Sequence, residues 1–426
     1  MSLLRSPDFP GPSELGAFWR TVETEQLGDH LVRFRLAQPL GTFLNDLQIG
    51  ILPVHALQGT SAKQLASHPF NLTPIGTGPY QLEALRSENG KIDQVDLRAA
   101  PVYRQRPEGK SGFALERLSF HLYDSFDAAT QALQSGKVDG LAGRNRNERT
   151  PLLNTGLSIQ TAIEPAVGFL IFNWAKDSTQ FFRQQRVRVA LEVGLNRAPI
   201  IERDLSNLAV RADSPLLPGS WAYSSDLPWA QYDPNQAREL LNTANLGTTS
   251  SSGTATPSST LFSVKILTPD DPALKAVAQE IATQWSQYNL DVWVDVADIN
   301  TYQERLKAHD FDAALVELTL GSDPDVYAYW HQGQYPDGKN YGGADDRRIS
   351  EDLERARSDV SSYNGVNRAV YYQKFQHDFA ERAIALPLYY PLYTYALSPK
   401  VNGVQLGFIG KPADRFRNIQ NWTIRS

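Results

Sequence analysis

The chain has 426 residues, a net charge of −6 and no cysteine. That length can bury the cores of two or three domains, and the lack of cysteine excludes disulfides and thiolate metal sites. The charges are mixed without a basic stripe, which excludes nucleic acid as a partner, and no apolar run approaches the roughly 20 residues that cross a bilayer.

In chain order, the opening up to about Gly16 is rich in Pro, Ser and Gly and reads as poorly ordered. Met1-Ser2-Leu3-Leu4-Arg5 is not followed by the apolar core of a signal peptide. Residues 31–36 read as a strand and 43–49 as a helix, and Gly76-Thr77-Gly78-Pro79-Tyr80 is a tight turn entering a strand. Residues 118–122 form the next strand, with Asp124 as N-cap, a helix over 126–133 and Gly136 ending it in a left-handed turn. Residues 138–142 return as a strand, so this stretch is expected to be an α/β unit, followed by a polar bend over 144–151.

Residues 247–260 are almost all Ser, Thr, Gly, Ala and Pro, and cannot bury enough apolar surface to offset ordering entropy. The segment reads as a surface loop, because a helix over 235–242 precedes it and a strand at 263–267 follows. Leu274, Val277, Ala278, Ile281, Trp285 and Tyr288 then recur at helical spacing, and 290–296 alternates with a period of two. A helix over 302–308 and a strand over 311–318 complete a strand–helix–strand–helix–strand unit, which predicts a parallel sheet with right-handed crossovers. Ligands of such sheets sit beyond the carboxyl ends of the strands, where the acidic, aromatic segment 319–330 leaves the last one.

An ordered set of patterns carries more than any single one. Pro74-Ile75-Gly76-Thr77-Gly78-Pro79-Tyr80 is followed by Gln134-Ser135-Gly136-Lys137-Val138-Asp139, Phe172-Asn173, Phe182 with Arg186-Val187-Arg188-Val189-Ala190-Leu191, Leu195-Asn196-Arg197, Tyr232-Asp233-Pro234, and Ala385-Leu386-Pro387-Leu388-Tyr389. This order and spacing resembles the family 5 extracytoplasmic solute-binding proteins of oligopeptide, dipeptide and nickel ABC importers, from roughly Val22 to the C-terminus.

The resemblance implies an α/β, two-lobed periplasmic-binding-protein-like fold (type II). It also implies that the N-terminal part of the main lobe and most of a small extra domain are missing, leaving sheet edges exposed. Residues 1–69 are then a remnant of the extra domain, 70–168 with 384–426 one lobe, and 169–383 the other. Two extended strands, near 167–173 and 384–390, would cross between the lobes. The implied protein is a monomeric, extracytoplasmic binder without a cofactor, whose partners are a peptide or other small solute and ABC permease subunits.

Asp323 and Asp325 lie where peptide-binding relatives carry a carboxylate for the ligand's amino group, although one register puts Leu320 there and an Asp-Pro-Asp turn also caps helices. Trp174, Tyr327, Trp330 and Tyr389 are candidates for the pocket wall or for core packing, and Phe172 and Asn173 for backbone contact with an extended peptide. Arg186 and Arg188 read as fastening a helix start. A paired-carboxylate hydrolase using Glu317, Asp323 and Asp325 is the rival of another class, and a ligand-sensing or vestigial binder the rival within this one. No nucleophile elbow, phosphate loop or zinc helix accompanies the acids.

Overall fold

The computed structural model describes residues 1–101, 113–143, 146–153, 156–229, 231–244, 246, 260–360 and 366–425. The loop expected at 247–260 falls outside them apart from residue 260. The chain starts with helices α1 (Ser2–Arg5) and α2 (Ser13–Thr21), a hairpin of β1 (Glu23–Gly28) and β2 (Leu31–Arg35), and the short helix α3 (Phe43–Asp46). The opening is thus helical where the sequence suggested little order. The reason is Trp19, fully buried and ringed by Phe18, Phe34 and Phe43 at centroid distances of 5.5, 5.9 and 6.1 Å.

Strands β3 (Tyr80–Glu88), β4 (Lys91–Ala99) and β5 (Arg117–His121) form an antiparallel meander. Helix α4 (Phe126–Gln134) follows, capped by Ser125 rather than Asp124: the Ser125 hydroxyl accepts from the Ala128 amide. Gly136 ends the turn at φ +72°, as its position predicted. Strand β6 (Gly140–Gly143) leads to α5 (Arg146–Leu153), a helix where a bend was expected. The contacts of Arg149 with Gly143 and Glu164 hold that helix in place.

Strands β7 (Ser158–Ile163) and β8 (Ala166–Phe172) precede α6 (Gln185–Val193), β9 (Ala209–Arg211) and α7 (Pro234–Asn242). The unit read most clearly in the sequence is present as β10 (Ser263–Pro269), α8 (Pro272–Ser286), β11 (Asp291–Ala297), α9 (Ile299–Lys307) and β12 (Ala313–Thr319). Its two helices start at Asp271 and Asp298, whose carboxylates accept from the first-turn amides. The remainder comprises α10 (Tyr327–Trp330), α11 (Arg347–Ser358), α12 (Val366–Glu381), β13 (Leu386–Leu397), β14 (Val401–Asn402) and β15 (Thr423–Ile424).

The larger lobe is built on the strand order β11-β10-β12-β8-β13. β10 lies parallel to both β11 and β12, as predicted, while β8 is antiparallel to β12 and to β13. Its core gathers Phe169, Phe172, Phe182, Trp285, Trp330 and Phe379. The other lobe uses the second half of β13, flanked by β6 and β7, with a separate aromatic core of Tyr393, Tyr395 and Trp422.

The expected α/β unit over 118–142 is not one sheet. β5 pairs with β4 because that meander takes its edge, whereas β6 pairs with β13. Between β5 and β6 lies an open cavity of about 1040 Å³. Among the described residues no strand pairs with the edge of either that faces it. Unpaired edges exchange with solvent more readily than interior strands. Hydrogen-exchange mass spectrometry should therefore find β5 and β6 exchanging at least tenfold faster than β8 and β12; equal protection would mean the edges are covered in solution.

Candidate functional site

The lobes meet where the loop leaving β12 touches the turn between β7 and β8: the Leu320 amide donates to the Pro165 carbonyl at 2.7 Å. Beside this contact is a cavity of about 430 Å³. One wall is Ile163 and Phe408 from the smaller lobe; the facing wall is Leu217, Trp221, Leu320 and Asp323 from the larger. The cavity is mostly apolar with a few polar groups, the usual make-up of a small-molecule site.

Asp323 is the predicted residue that reaches this cavity. Its carboxylate is held by Arg368 through two bonds, Nη2 to Oδ1 at 2.7 Å and Nη1 to Oδ2 at 2.9 Å. Asn45 donates to Oδ2 at 2.8 Å and the Asp325 amide to Oδ1 at 3.1 Å. Asp325 forms a second ion pair, with Arg357 at 2.7 Å, and that guanidinium lies 4.1 Å from the centroid of the Tyr327 ring. Tyr327 in turn stacks on His331 at 4.1 Å. Burial, with Asp323 and Asp325 nearby, raises the Asp46 carboxyl above its ordinary value.

A second polar cluster bridges the lobes. Arg146 of α5 donates to Glu317 of β12 and, at 3.1 Å, to the Tyr389 hydroxyl, and its Nη1 lies 3.8 Å from Asp271. The Tyr389 hydroxyl donates to Glu317 at 2.8 Å. Burial, reinforced by Glu317, pushes the Tyr389 phenol well above its usual range, so it remains a donor. This cluster sits at the carboxyl ends of β10 and β12, the end of the sheet at which the sequence placed a ligand.

Four of the predicted residues lie away from the cavity, in the larger lobe's interior. Phe172 is buried against Phe182 and Trp285. The Asn173 side chain donates to the His309 and Phe311 carbonyls and accepts from the Ala175 and Lys176 amides. Trp174 lies 3.9 Å beneath the Arg188 guanidinium, and Trp330 packs on Phe169 and Phe379. Strand addition at Phe172-Asn173 has no free edge: the amides of Asn173 and Trp174 already donate to Asp312 and Gly342, and β8 lies between β12 and β13.

Arg188 is structural, as read. It donates to the carbonyls of Phe182, Arg183, Arg382 and Ala383, and so fastens α6. The three acids of the hydrolase reading each already have an arginine donor: Arg146 on Glu317, Arg368 on Asp323 and Arg357 on Asp325. That arrangement differs from a free acid and base facing one substrate bond.

Sequence reasoning missed the 216–221 and 406–408 walls and Arg146. The available signal was Leu216-Leu217-Pro218-Gly219-Ser220-Trp221, a turn that places a large aromatic at the surface, where Trp221 is 44% exposed.

Two outcomes follow from the geometry. Asp323→Ala leaves the buried Arg368 guanidinium without its counter-charge, so urea unfolding should show a loss of about 3–5 kcal/mol; an unchanged midpoint would contradict the pairing. Arg146→Ala removes the bridge between the lobes at a partly exposed site, which costs about 1 kcal/mol. Small-angle scattering should then show a larger radius of gyration without ligand; an unchanged radius would mean other contacts keep the cleft shut.

Among proteins of known structure, the chain is similar to a putative peptide-binding protein AppA from Clostridium difficile, with a TM-score of 0.78 and 17% identity over 100% of this chain and 83% of that one. It is also similar to HbpA2 from Haemophilus parasuis, with a TM-score of 0.77 and 18% identity over 95% and 76%. In sequence it is 24% identical to the oligopeptide-binding protein AppA of Bacillus subtilis, over 98% of this chain and 75% of that protein. It is likewise 24% identical to the dipeptide-binding protein of Escherichia coli, over 72% and 54%. The family described as bacterial extracellular solute-binding proteins, family 5 Middle, matches residues 2–340, and the chain belongs to that family.

Proposed function

We propose that the chain captures a peptide-like solute between its two lobes and presents it to the permease of an ABC importer. The observation that carries this reading is the 430 Å³ cavity walled by both lobes at the point where they touch. A ligand contacting both walls stabilises the shut form over the open one, and that difference in affinity drives closure. In this reading the smaller lobe, with the second half of β13, moves against the larger lobe, which holds the first half, and 1–69 ride on the larger lobe through Asn45 and Gly41. The protein acts as an extracytoplasmic monomer that binds without catalysing. Relatives named for oligopeptide and dipeptide binding support the solute class.

Native mass spectrometry of the protein as purified, then after mild denaturation, tests this. A compact ion that releases a small molecule of peptide-like mass is the expected result. The reading fails if nothing is released and a peptide library produces no shift in melting temperature.

A further inference from the structure

We propose that the cleft selects solutes whose buried end carries no charge, such as a peptide with blocked termini, over free zwitterionic peptides. This rests on the capture reading above and narrows its substrate class.

Among the described residues, Asp323 is the ionisable side chain that lines the cavity. A carboxylate has about four lone-pair sites. All are filled, by the Nη1 and Nη2 atoms of Arg368, the Asn45 side chain and the Asp325 amide. A ligand ammonium arriving at Asp323 must break one of these bonds to gain its own.

Arg368 is equally committed. The guanidinium has five N–H donors. Nε donates to the Ala356 carbonyl, Nη1 to Gly41 and Asp323, and Nη2 to Asp323 and the Tyr372 hydroxyl. No N–H is left for a ligand carboxylate. A charged terminus buried here would find no free counter-charge, which disfavours it against an uncharged one.

Uncharged amides meet a better reception. Gly219, Gly321 and Gly407 lie on the cavity wall. A Cβ on Gly219 or Gly407 would meet nothing within 4 Å, and one on Gly321 only the Asp323 backbone at 3.8 and 3.9 Å. A ligand can therefore approach the peptide groups themselves. No described residue accepts from these three backbone N–H groups. Apolar side chains of the same ligand fit against Ile163, Leu217, Leu320 and Phe408.

The test is calorimetry at pH 7 on the full chain, with Leu-Leu and with N-acetyl-Leu-Leu-amide. The blocked form should bind at least tenfold more tightly. A free dipeptide that binds as well or better overturns this inference and leaves solute capture standing. Silence from both probes, together with no released solute in native mass spectrometry, overturns both. Gly321→Asp adds a carboxylate to the wall, its Cβ in ordinary contact with the Asp323 backbone and without a steric clash. It should narrow the preference at least tenfold toward the free dipeptide; an unchanged ratio would show that wall charge does not set selectivity.

Discussion

The two lobes depend on one strand. β13 runs for 12 residues, and its first half pairs with β8 and β9 while its second half pairs with β6 and β7. Every residue of it is buried except Leu392, which is half-buried just after the pairing changes. Pro387 and Pro391 supply no backbone N–H, which is tolerated where ladders shift or end. The register does shift between Pro387 and Tyr389, and the Pro391 carbonyl instead accepts from the Glu164 amide. Gly168 completes this crossing: a Cβ there would lie 2.4 Å from the Tyr389 ring, so only glycine lets the aromatic lie across β8. That placement carries the Tyr389 hydroxyl to Glu317 and Arg146, and couples the crossing strand to the polar bridge between the lobes.

The Asp323–Arg368 pair shows how a buried charge can be structural at the rim of a cavity. An ion pair taken out of water repays its desolvation only when its remaining donors and acceptors are filled. Here they are filled from three parts of the chain: Gly41 and Asn45 near the N-terminus, Asp323 after β12, and Ala356 and Tyr372 on the last long helices. The pair therefore fixes the N-terminal helices and the cleft wall together, and its saturation makes it a poor receptor for a further ion. An exposed aspartate in the same place would do the opposite.

Much of the fold was legible because it is local. The 263–319 unit shows its helices by apolar spacing and its helix starts by Asp271 and Asp298, and each cap lies within three residues of the amides it serves. The crossing strands came from the family resemblance rather than from local patterning. The fate of β5 and β6 was not legible, because period-two patterning identifies a strand but not its neighbour. The site was hidden for a related reason. Asp323 was singled out by its position, but its partners lie 45 residues away in Arg368 and 278 residues away in Asn45. Nothing in an Asp-Pro-Asp turn reveals that its carboxylate is already satisfied. Aromatic residues misled in the other direction: Trp174 and Trp330 suit a pocket wall by type, yet their rings fill the core.

The polar bridge and the apolar cavity both favour closure, but only the cavity makes closure depend on a solute. Contacts of Arg146 with Glu317, Tyr389 and the neighbourhood of Asp271 favour the shut form whether or not a solute is present. A ligand shifts the equilibrium only by the affinity it has for the shut form beyond the open one. If the bridge alone holds most molecules shut, the cavity's occupant adds little to closure, and entry waits on the bridge opening. If the bridge is weak, as its one-third-exposed Glu317 side chain suggests, closure falls mainly to the ligand and to Ile163, Leu217, Leu320 and Phe408 around it. An apolar solute can then drive closure by burying surface from both lobes at once, without any charge of its own.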